Sequence, residues 1–398
     1  MDLSNGFVSL FSGCGGFDLG FERAGFLGKG AFDLDQDAVD NYRGNISSEV
    51  YRADLKAGIP GEERFRGIPA LIAGPPCQGF STVGRRMLND HRNHLLPLVG
   101  SLAIRVKPKV VVVENVTGVL SGEHRKYWTQ LNEMLREGGY KTHSLTCHTV
   151  DLGLPQNRRR VILLAWCSGQ EPNFILPKLP KQTLRSALTK ISGLPNHTPR
   201  LLTDGSEAQL IAKRIKPNQK LSNVRGGPRS IHTWDIPEVF GETTANEKTL
   251  LEILLRLRRQ NRVREVGDAD PVSHARLAAA FGQSYTKLVK SLTSKGYIRR
   301  RDKSLDLVHT FNGKFRRLDW DAPSCTVDTR FGQARYFLHP EYDRGFTVRE
   351  AARLQGFPDS YVFKGRSSSH FRLIGNAVPP VVGEFTGKYA AYLSGKLS

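Results

Sequence analysis

The sequence contains no hydrophobic run long enough to cross a membrane. The longest obvious one, Val110 to Val113, has the length of a strand, whereas a membrane-spanning helix needs about 20 apolar residues. A signal peptide is not indicated either, since Asp2 stands where positive charge is expected and Ser9, Ser12 and Gly13 interrupt the apolar stretch. The sequence therefore argues against a membrane or secreted protein and predicts a cytoplasmic one.

Cysteine is sparse, and its pattern excludes two kinds of site. The five cysteines are odd in number and form no C-x-x-C pair, so neither a disulfide framework nor a zinc ribbon is indicated. We expect a reducing compartment and no metal.

Acidic residues are scarce relative to basic ones. The 398 residues include 58 Lys or Arg but 38 Asp or Glu, so the formal net charge is +20. Hydrophobic residues make up 39%, which is enough for a packed core, and the length indicates two or three domains. So large a positive charge favours a polyanionic partner, most simply nucleic acid. A basic surface that is merely solvated is the alternative.

Short apolar runs recur between helical patterns in the first part of the chain. They are strand-sized and rich in β-branched residues, at 7–11, 70–73, 110–113 and 161–166. Runs without alternation are typical of strands covered on both faces, and the segments between them have helical spacing. The pattern predicts an α/β fold, doubly wound around a mostly parallel sheet.

The pattern changes near residue 171, where prolines become frequent and periodicity is lost. Farther along, three helical patterns precede a basic segment with the spacing of a two-stranded wing, at residues 249–260, 274–281, 284–295 and 297–309. This order predicts a winged helix-turn-helix whose third helix enters a DNA groove. Residues 246–318 carry 17 Lys or Arg and 7 Asp or Glu, hence half of the net charge. A basic helical subdomain that only packs is the alternative.

A glycine-rich segment, Phe11-Ser12-Gly13-Cys14-Gly15-Gly16, follows the first predicted strand. Glycines let a backbone approach a ligand closely, and the N–H groups at a helix start favour an anion. Asp18 stands where the dinucleotide fingerprint has its third glycine, which disfavours a nicotinamide or flavin and favours a nucleoside cofactor without a pyrophosphate. Asp33, at the end of the next predicted strand, is placed to bind a ribose. A purely structural turn is the alternative.

Cys77 lies in a second turn, Gly74-Pro75-Pro76-Cys77-Gln78-Gly79, after the strand that ends at Ala73. Ligand sites of α/β folds lie at the carboxyl ends of parallel strands, and a thiolate is a strong nucleophile. The alternative is a small buried cysteine. Zinc-dependent deamination is disfavoured because Phe80 occupies the position of the second cysteine in P-C-x-x-C.

Charged side chains at two further strands complete the candidate chemistry. Glu114 ends the run Val110 to Val113, where burial would keep it protonated as a proton donor, unless it is a helix cap or a salt-bridged acid. Arg158 and Arg160 precede another strand and share one face if the segment is extended. They suit an anion or a base edge, and a solvated basic run is the alternative.

Together and in this order, these segments resemble those of the C5-cytosine-specific DNA methyltransferases of bacterial modification systems. The family shares a Phe-x-Gly-x-Gly-Gly loop, a Pro-Cys-Gln turn, a Glu-Asn-Val strand end, a Gln-x-Arg-x-Arg segment and a late Gly-Asn-x-Val turn, here Gly375 to Val378. The resemblance covers about residues 6 to 167 and 315 to 395, including the stretch from Phe346 to Pro358.

The resemblance implies an S-adenosylmethionine-dependent methyltransferase fold in two domains. Residues 1–170 and 347–398 would form the catalytic, cofactor-binding domain. Residues 171–346 would form a smaller DNA-recognition domain, with a winged-helix-like insert at 246–310.

The resemblance also implies the cofactor site. S-adenosylmethionine is expected to contact a set of residues from the glycine-rich loop, the proline turn and the late turn: Phe11, Gly13, Cys14, Gly15, Gly16, Pro76 and Asn376. Asp33 would bind its ribose and Asp54 the adenine amino group. Leu34 would lie against the adenine, where many members of the family have an aromatic ring.

The implied chemistry is addition of the Cys77 thiolate to C6 of cytosine, which makes C5 nucleophilic. Glu114 would hold or protonate N3 and contact the exocyclic amine, while Arg158 and Arg160 would bind the base and orient Glu114. After methyl transfer, the C5 proton leaves and Cys77 is eliminated.

Duplex DNA is the implied substrate, and its target base must be rotated out of the stack to be reached. Residues 81–93 are expected to close over that base, and the third predicted helix is expected to contact DNA. The side chains for these two tasks are Ser81, Arg85 and Arg86, and Ser284, Lys287 and Lys290, respectively.

The expected partner is DNA, with a cognate restriction endonuclease acting on the same site, and the protein is expected to be a monomer. One alternative is a tRNA cytosine methyltransferase, but that branch carries a Cys-Phe-Thr tripeptide which this chain lacks. Another is a non-catalytic DNA-binding regulator, which would need neither Cys77 nor Glu114 with the glycine-rich loop.

Overall fold

The computed structural model describes residues 3–76, 91–260, 262–263, 269–282, 285–301 and 303–395, with only the backbone for 91 and 92. The strands are β1 (Gly6–Leu10), β2 (Leu27–Asp33), β3 (Val50–Arg52), β4 (Ala70–Ala73), β5 (Val110–Val116), β6 (Lys141–His148), β7 (Arg159–Trp166), β8 (Lys220–Ser222), β9 (Ser230–Ile231), β10 (Val272–Ser273), β11 (Ile298–Arg301), β12 (Ser304–Leu307), β13 (Asn312–Lys314), β14 (Arg316–Arg317) and β15 (Phe337–Leu338).

The α-helices range from single turns to about four turns in length. They are α1 (Gly16–Arg23), α2 (Gln36–Asn45), α3 (Leu95–Val106), α4 (Arg125–Glu137), α5 (Leu184–Ala187), α6 (Glu207–Arg214), α7 (Pro237–Phe240), α8 (Ala245–Leu257), α9 (His274–Phe281), α10 (Tyr285–Ser294), α11 (Val348–Gln355), α12 (Ser367–Asn376) and α13 (Pro380–Leu393). Within the described ranges, none has the length and hydrophobicity to cross a bilayer.

A seven-stranded sheet in the order β3-β2-β1-β4-β5-β7-β6 forms the centre of the first compact unit. The pairs from β3 to β5 are parallel, whereas β7 runs antiparallel to both β5 and β6. The prediction of an α/β fold with a mostly parallel sheet is therefore confirmed.

The strands of this sheet are apolar on both sides because helices cover both faces. In β5, Val111 and Val113 join a buried cluster that includes residues of α3 and α4, while Val110 and Val112 join a cluster with residues of α1 and α13. Successive side chains of a strand point to opposite faces. An uninterrupted run of valines thus fills two cores at once.

Helices α1 and α13 pack so closely that no side chain fits between their backbones at two glycines. A Cβ atom on Gly20 would lie 2.2 Å from the carbonyl oxygen of Pro380, and one on Gly383 would lie 2.4 Å from that of Phe17. Both positions therefore require glycine, and the two backbones are in direct contact.

The chain divides into two compact units. The first comprises Met1–Thr198, Trp320–Arg330 and Thr347–Ser398, and the second comprises Pro199–Asp319 and Phe331–Phe346. The predicted boundary at residue 170 lies earlier than this division, so 171–198 and 320–330 belong with the sheet.

Packing and hydrogen bonding explain why these two segments group with the first unit. Phe174 and Leu176 pack on the buried cluster that includes α13 residues. Gln156 pairs with Ser324 in a parallel bridge, and Thr183 caps the short helix α5. The prolines after residue 171 therefore mark a change of secondary structure and not the end of the first unit.

The second unit contains a small sheet in the order β13-β8-β9. Leu221 of β8 is buried with Ile211 of α6, and with Phe315 and Leu338 from the later part of the unit. This cluster joins segments that are distant in sequence.

The same unit contains α8, α9 and α10 with a three-stranded sheet in the order β10-β12-β11. The helices begin and end close to the predicted helical patterns, and β11 and β12 pair antiparallel where two strands were expected. Leu254, Leu277 and Leu292 place one residue from each helix in a shared core. Glu247 of α8 accepts hydrogen bonds from Ser291 and Lys295, which ties α8 to α10.

Candidate functional site

A cavity of about 490 Å³ lies in the first unit, at the carboxyl ends of β1, β2, β4 and β5. This is where ligands bind in open α/β sheets. Its lining combines the glycine-rich loop, the ends of these strands, the start of β7 and the end of α12, and includes Phe11, Ser12, Gly13, Phe17, Asp33, Leu34, Pro75, Pro76, Glu114, Arg158, Arg160, Arg372 and Asn376.

The glycine-rich loop borders the cavity through its first part. Phe11 has φ 54°, a left-handed conformation that is uncommon for a residue with a side chain, and Gly13 has φ 55°. A Cβ atom on Gly13 would have no heavy atom within 4 Å, so its backbone faces open space. Strain of this kind is found where a loop is shaped for a ligand.

The second part of the loop faces the protein rather than the cavity. The Cys14 thiol is buried 3.6 Å from the carbonyl oxygen of Leu373, and burial raises its pKa to about 12. A Cβ atom on Gly15 would overlap Ile46, and one on Gly16 would overlap the carbonyl oxygen of Val378. Cys14, Gly15 and Gly16, which are predicted to contact the cofactor, are not among the residues that line the cavity.

Asp33 holds the loop against the end of β2. Its carboxylate accepts hydrogen bonds from the backbone N–H groups of Gly13 and Asp35, each at 2.8 Å. Burial raises the pKa of Asp33 to about 6, although the N–H groups of Gly13 and Leu34 oppose the shift. The neighbouring Leu34 side chain is 60% exposed and lines the cavity, so an apolar surface is open to a ligand there.

Of the remaining predicted cofactor residues, two line the cavity and one does not. Pro76 and Asn376 line the cavity. Asp54 is exposed, accepts a hydrogen bond from the Lys56 N–H and does not line the cavity.

Glu114 and Arg160 form an ion pair beside the proline turn. Arg160 Nε lies 2.5 Å from Glu114 Oε1, and the two side chains are about one-tenth exposed. They come from the paired strands β5 and β7, where Val116 is opposite Arg160 in register. Arg158 and Arg160 are buried and Arg159 is exposed, which is the alternation of an extended segment.

Arg158 also lines the cavity, but its guanidinium is bound by protein groups. It donates to the carbonyl oxygens of Val327, Gly375 and Ala377 at 3.0 to 3.2 Å. This arrangement fixes the turn that presents Asn376.

Two glutamines that sequence reasoning did not single out stabilise the same turn. Gln156 donates to the carbonyl oxygen of Leu354 and to the side-chain oxygen of Gln355, while Gln355 donates to the carbonyl oxygen of Ala377. Gln156 stood within the quoted Gln-x-Arg-x-Arg segment, which was the available signal. Nothing in the sequence pairs it with Gln355.

Asn115, the residue after Glu114, was missed as well. Its side chain is buried and donates to the carbonyl oxygen of Pro75 at 3.3 Å. The bond fastens the end of β5 to the proline turn that precedes Cys77 in the sequence.

Several predicted residues lie outside the described ranges: Cys77, Ser81, Arg85, Arg86 and Ser284. Lys287 and Lys290 are described and are exposed on α10, opposite the buried Val289 and Leu292. In the part of the chain that the structure describes, no cluster of His, Cys, Asp or Glu could hold a metal ion.

A family model for the C-5 cytosine-specific DNA methylases matches residues 6–390. The chain belongs to this family. Its relatives include the Type II methyltransferase M.XorII of Xanthomonas oryzae pv. oryzae, 31% identical over 96% of this chain and 83% of that protein. The Type II methyltransferase M.AgeI of Thalassovita gelatinovora is 29% identical over 94% of this chain and 96% of that protein.

A crystal structure described as a DNA modification methyltransferase of an E. coli prophage shares the fold. Its TM-score is 0.58 at 24% identity, over 97% of this chain and 98% of that one. The resemblance inferred from the motifs is confirmed, and the protein is a DNA cytosine methyltransferase of the C-5 type.

The family implies an S-adenosylmethionine-dependent enzyme. The cavity offers what such a molecule requires, since Leu34 is an open apolar contact and Asp33 an acceptor. The buried Ser12 hydroxyl lines the cavity and makes no hydrogen bond to any residue that the structure describes. Buried polar groups are normally hydrogen-bonded, so this hydroxyl is available to a polar ligand.

Proposed function

We propose that the cavity binds S-adenosylmethionine and that Cys77, Glu114 and Arg160 methylate a cytosine beside it. The observation that carries this proposal is the Glu114–Arg160 pair, which lies in the lining of the same cavity as the proline turn before Cys77. When bound, S-adenosylmethionine supplies an electrophilic methyl group.

The proposed cofactor contacts follow from the lining. Asp33 accepts hydrogen bonds from the ribose, and Leu34 packs on the adenine. Phe11, Gly13, Pro76 and Asn376 enclose the remainder. Asp54 does not line the cavity, so its proposed contact with the adenine amino group rests on the family pattern alone.

Cytosine C5 is a poor nucleophile, and Cys77 changes this. Its thiolate forms a bond to C6 while N3 gains a proton, and Glu114 holds the protonated N3, so the ring becomes an enamine. Once C5 carries the methyl group it loses its proton to solvent, the Sγ–C6 bond breaks to release the thiolate, N3 gives up the proton it gained and aromaticity returns. Arg160 keeps Glu114 directed at the base, and Arg158 acts as a positioning residue through the turn at 375–377.

The substrate is duplex DNA, and the cytosine rotates out of the helix at a cost of a few kcal/mol in lost stacking. Residues 81–93 close over the extruded base, with Ser81, Arg85 and Arg86 among the contacts. Helix α10 enters a groove of the DNA as the third helix of a winged helix, with Lys287, Lys290 and the preceding Ser284 facing it.

The biological setting that we propose is a restriction-modification system. Type II methyltransferases among the relatives support it. In this setting the protein acts as a monomer in the cytoplasm, and a cognate endonuclease cuts the same sequence when it is unmodified.

The decisive experiment replaces the nucleophile. We expect Cys77→Ala to abolish transfer of labelled methyl groups to duplex DNA while DNA binding persists. The variant cannot form the bond to C6, but its DNA-binding surface is unchanged. Transfer is measured with tritiated S-adenosylmethionine and binding by a gel shift. Bisulfite sequencing of DNA from a host that expresses the native protein identifies the modified site.

Cys167→Ala is the matched control, because Cys167 is an exposed free thiol outside the cavity lining. It should transfer methyl groups at the native rate. Retained transfer by Cys77→Ala would refute the assignment of the nucleophile.

A further inference from the structure

The second unit carries a cluster of four cations around β8 and β9. Lys220 lies on β8, Arg225 and Arg229 lie in the connection to β9, and Arg316 lies on β14. A Cβ atom on Gly313 would be 3.4 Å from both Lys220 Cδ and an Arg316 terminal nitrogen, so these two side chains are neighbours. Burial and the charges of Arg316, Arg225 and Arg229 lower the pKa of Lys220.

A cavity of about 650 Å³ adjoins this cluster through Arg225. One wall is the connection at 224–227, and the other is the last part of α8 with the residues just after it. The second wall adds Arg256 and Arg259, and Glu252 is the acidic residue of the lining. The small sheet and the helical subdomain therefore contribute positive charge to a common surface.

Several basic residues of the unit have an acidic partner in the described ranges, whereas the arginines of this surface do not. Lys295 pairs with Glu247, Arg299 with Asp306, and Arg214 with Glu238. Among the residues that the structure describes, Arg225, Arg229, Arg256 and Arg259 form no ion pair or side-chain hydrogen bond, and all four are exposed. Like charges held together in this way are stabilised by an external anion.

The backbone between the arginines is open to a ligand. Gly227 has φ 118°, and a Cβ atom there would have no heavy atom within 4 Å. On Gly226 it would meet Leu255 at 3.6 Å. Glycines in such a connection let a large partner approach the main chain.

We propose that the connection at 224–229 and the end of α8 form a clamp for the phosphate backbone of duplex DNA, separate from the contact made by α10. The proposal rests on the proposed function, since it names how the second unit holds that substrate. Arg225, Arg256 and Arg259 lie on the two walls, and Lys220, Arg229 and Arg316 lie beside one of them. A set of cations spread in this way suits a row of phosphodiesters better than a single small anion. Arginine is also the side chain that binds phosphate in a bidentate manner.

The clamp predicts a specific change in salt dependence. Each phosphate contact contributes about 0.9 to the slope of log K against log salt for duplex DNA. We expect Arg225→Ala/Arg229→Ala to lower the slope by about 1.8, and Arg256→Ala/Arg259→Ala to do likewise. Fluorescence anisotropy with a labelled duplex of arbitrary sequence measures it, because phosphate contacts do not depend on sequence.

The matched control is Lys213→Ala/Arg214→Ala, which removes two cations of the same unit that already have Asp204 and Glu238 as partners. It should keep the native slope. Thermal melting checks that each variant is folded. An unchanged slope in both arginine variants, or an equal fall in the control, would overturn the clamp.

Methyl transfer by the native protein, measured together with the salt slopes, separates failure of the clamp from failure of the proposed function. If the native protein transfers methyl groups to DNA and the arginine variants bind DNA with the native slope, only the clamp is wrong. If the native protein transfers none while the variants lose slope, the clamp stands and the catalytic proposal fails. Tighter binding of the native protein to an RNA of the same length than to the DNA duplex would overturn the choice of ligand.

Discussion

The carboxyl group of Asp18 is buried in the first turn of α1, where two hydroxyl groups bind it. Ser9 donates to one oxygen at 3.0 Å and Tyr42 to the other at 2.9 Å. Burial raises the pKa of Asp18 to about 7, although both hydrogen bonds oppose the shift. An aspartate that is half protonated near neutral pH makes folding sensitive to pH at one identifiable residue.

The sign of this effect follows from proton binding. Between about pH 4 and pH 7 the folded protein retains a proton on Asp18 that the unfolded chain releases, so the free energy of unfolding falls as the pH rises. We expect Asp18→Asn to remove a slope of up to about 1.4 kcal/mol per pH unit in this interval. Urea denaturation at about pH 5 and about pH 7 measures the difference between variant and native protein.

Asp40→Asn is the appropriate control, because Asp40 is an exposed acid of α2 that pairs with Arg43. It should leave the pH dependence unchanged. If Asp18→Asn also shows the native dependence, the Asp18 carboxyl titrates at an ordinary acidic pKa.

The sequence identified a site residue as a candidate when the strand or turn that positions it is adjacent in the sequence. Glu114 and Arg160 were recognisable as candidates because each adjoins a strand of the sheet. Their pairing was implied only by the family resemblance, because it depends on β7 lying beside β5. Gln355 and Asn115 could not be identified, since their partners are backbone carbonyl groups or residues far along the chain.

At the scale of elements, the apolar runs predicted the strands and a mostly parallel sheet, but not the strand that runs the other way. The valines of β5 are buried on both faces, which a periodicity argument detects. The antiparallel course of β7 depends on the connection from β6, and hydrophobicity does not encode it. The segment 171–198 was misplaced for a similar reason, since its prolines resemble a linker while Phe174 packs into the core.

Helix α10 has one apolar and one basic side, as a helix that packs on its own unit and contacts DNA requires. We expect Lys287→Ala/Lys290→Ala to weaken binding to duplex DNA and to lower the salt slope by about 1.8, because two phosphate contacts are lost. Anisotropy titrations between about 50 and 200 mM salt provide the measurement.

Lys388→Ala, which removes an exposed cation of α13 that pairs with Glu384, is the comparison for this variant. It should bind DNA as the native protein does. A native slope in the α10 variant would assign the groove contact to another part of the second unit.

At the scale of the whole molecule, the proposed cofactor cavity requires elements that are far apart in the sequence. Its lining takes Phe11 from the loop after β1, Asp33 from the end of β2, and Arg372 and Asn376 from α12. Only the complete first unit presents them together. A ligand of this cavity therefore stabilises the folded state as a whole and not one local segment.

This gives a test by ligand addition. At 100 times its Kd, S-adenosylmethionine should add about 2.7 kcal/mol to the free energy of unfolding and raise Tm. Asp33→Ala should lose most of this rise, because the proposed ribose acceptor is removed and the Gly13 N–H loses its partner. Differential scanning calorimetry with and without the cofactor compares the two proteins, and an equal rise in both would remove Asp33 from the site.

The direct contact between α1 and α13 has a consequence for synthesis on the ribosome. Helix α1 is translated before α13, and all the strands of the sheet lie between them or before α1 in the sequence. During elongation, the apolar side of α1 therefore stays unpacked until α13 has been made. A nascent chain with exposed core residues is prone to aggregate. Because α12 supplies Arg372 and Asn376 to the proposed cofactor cavity, we expect methylation to begin only after α12 has been made. A truncated translation product would therefore be inactive even with every motif up to Arg160 intact.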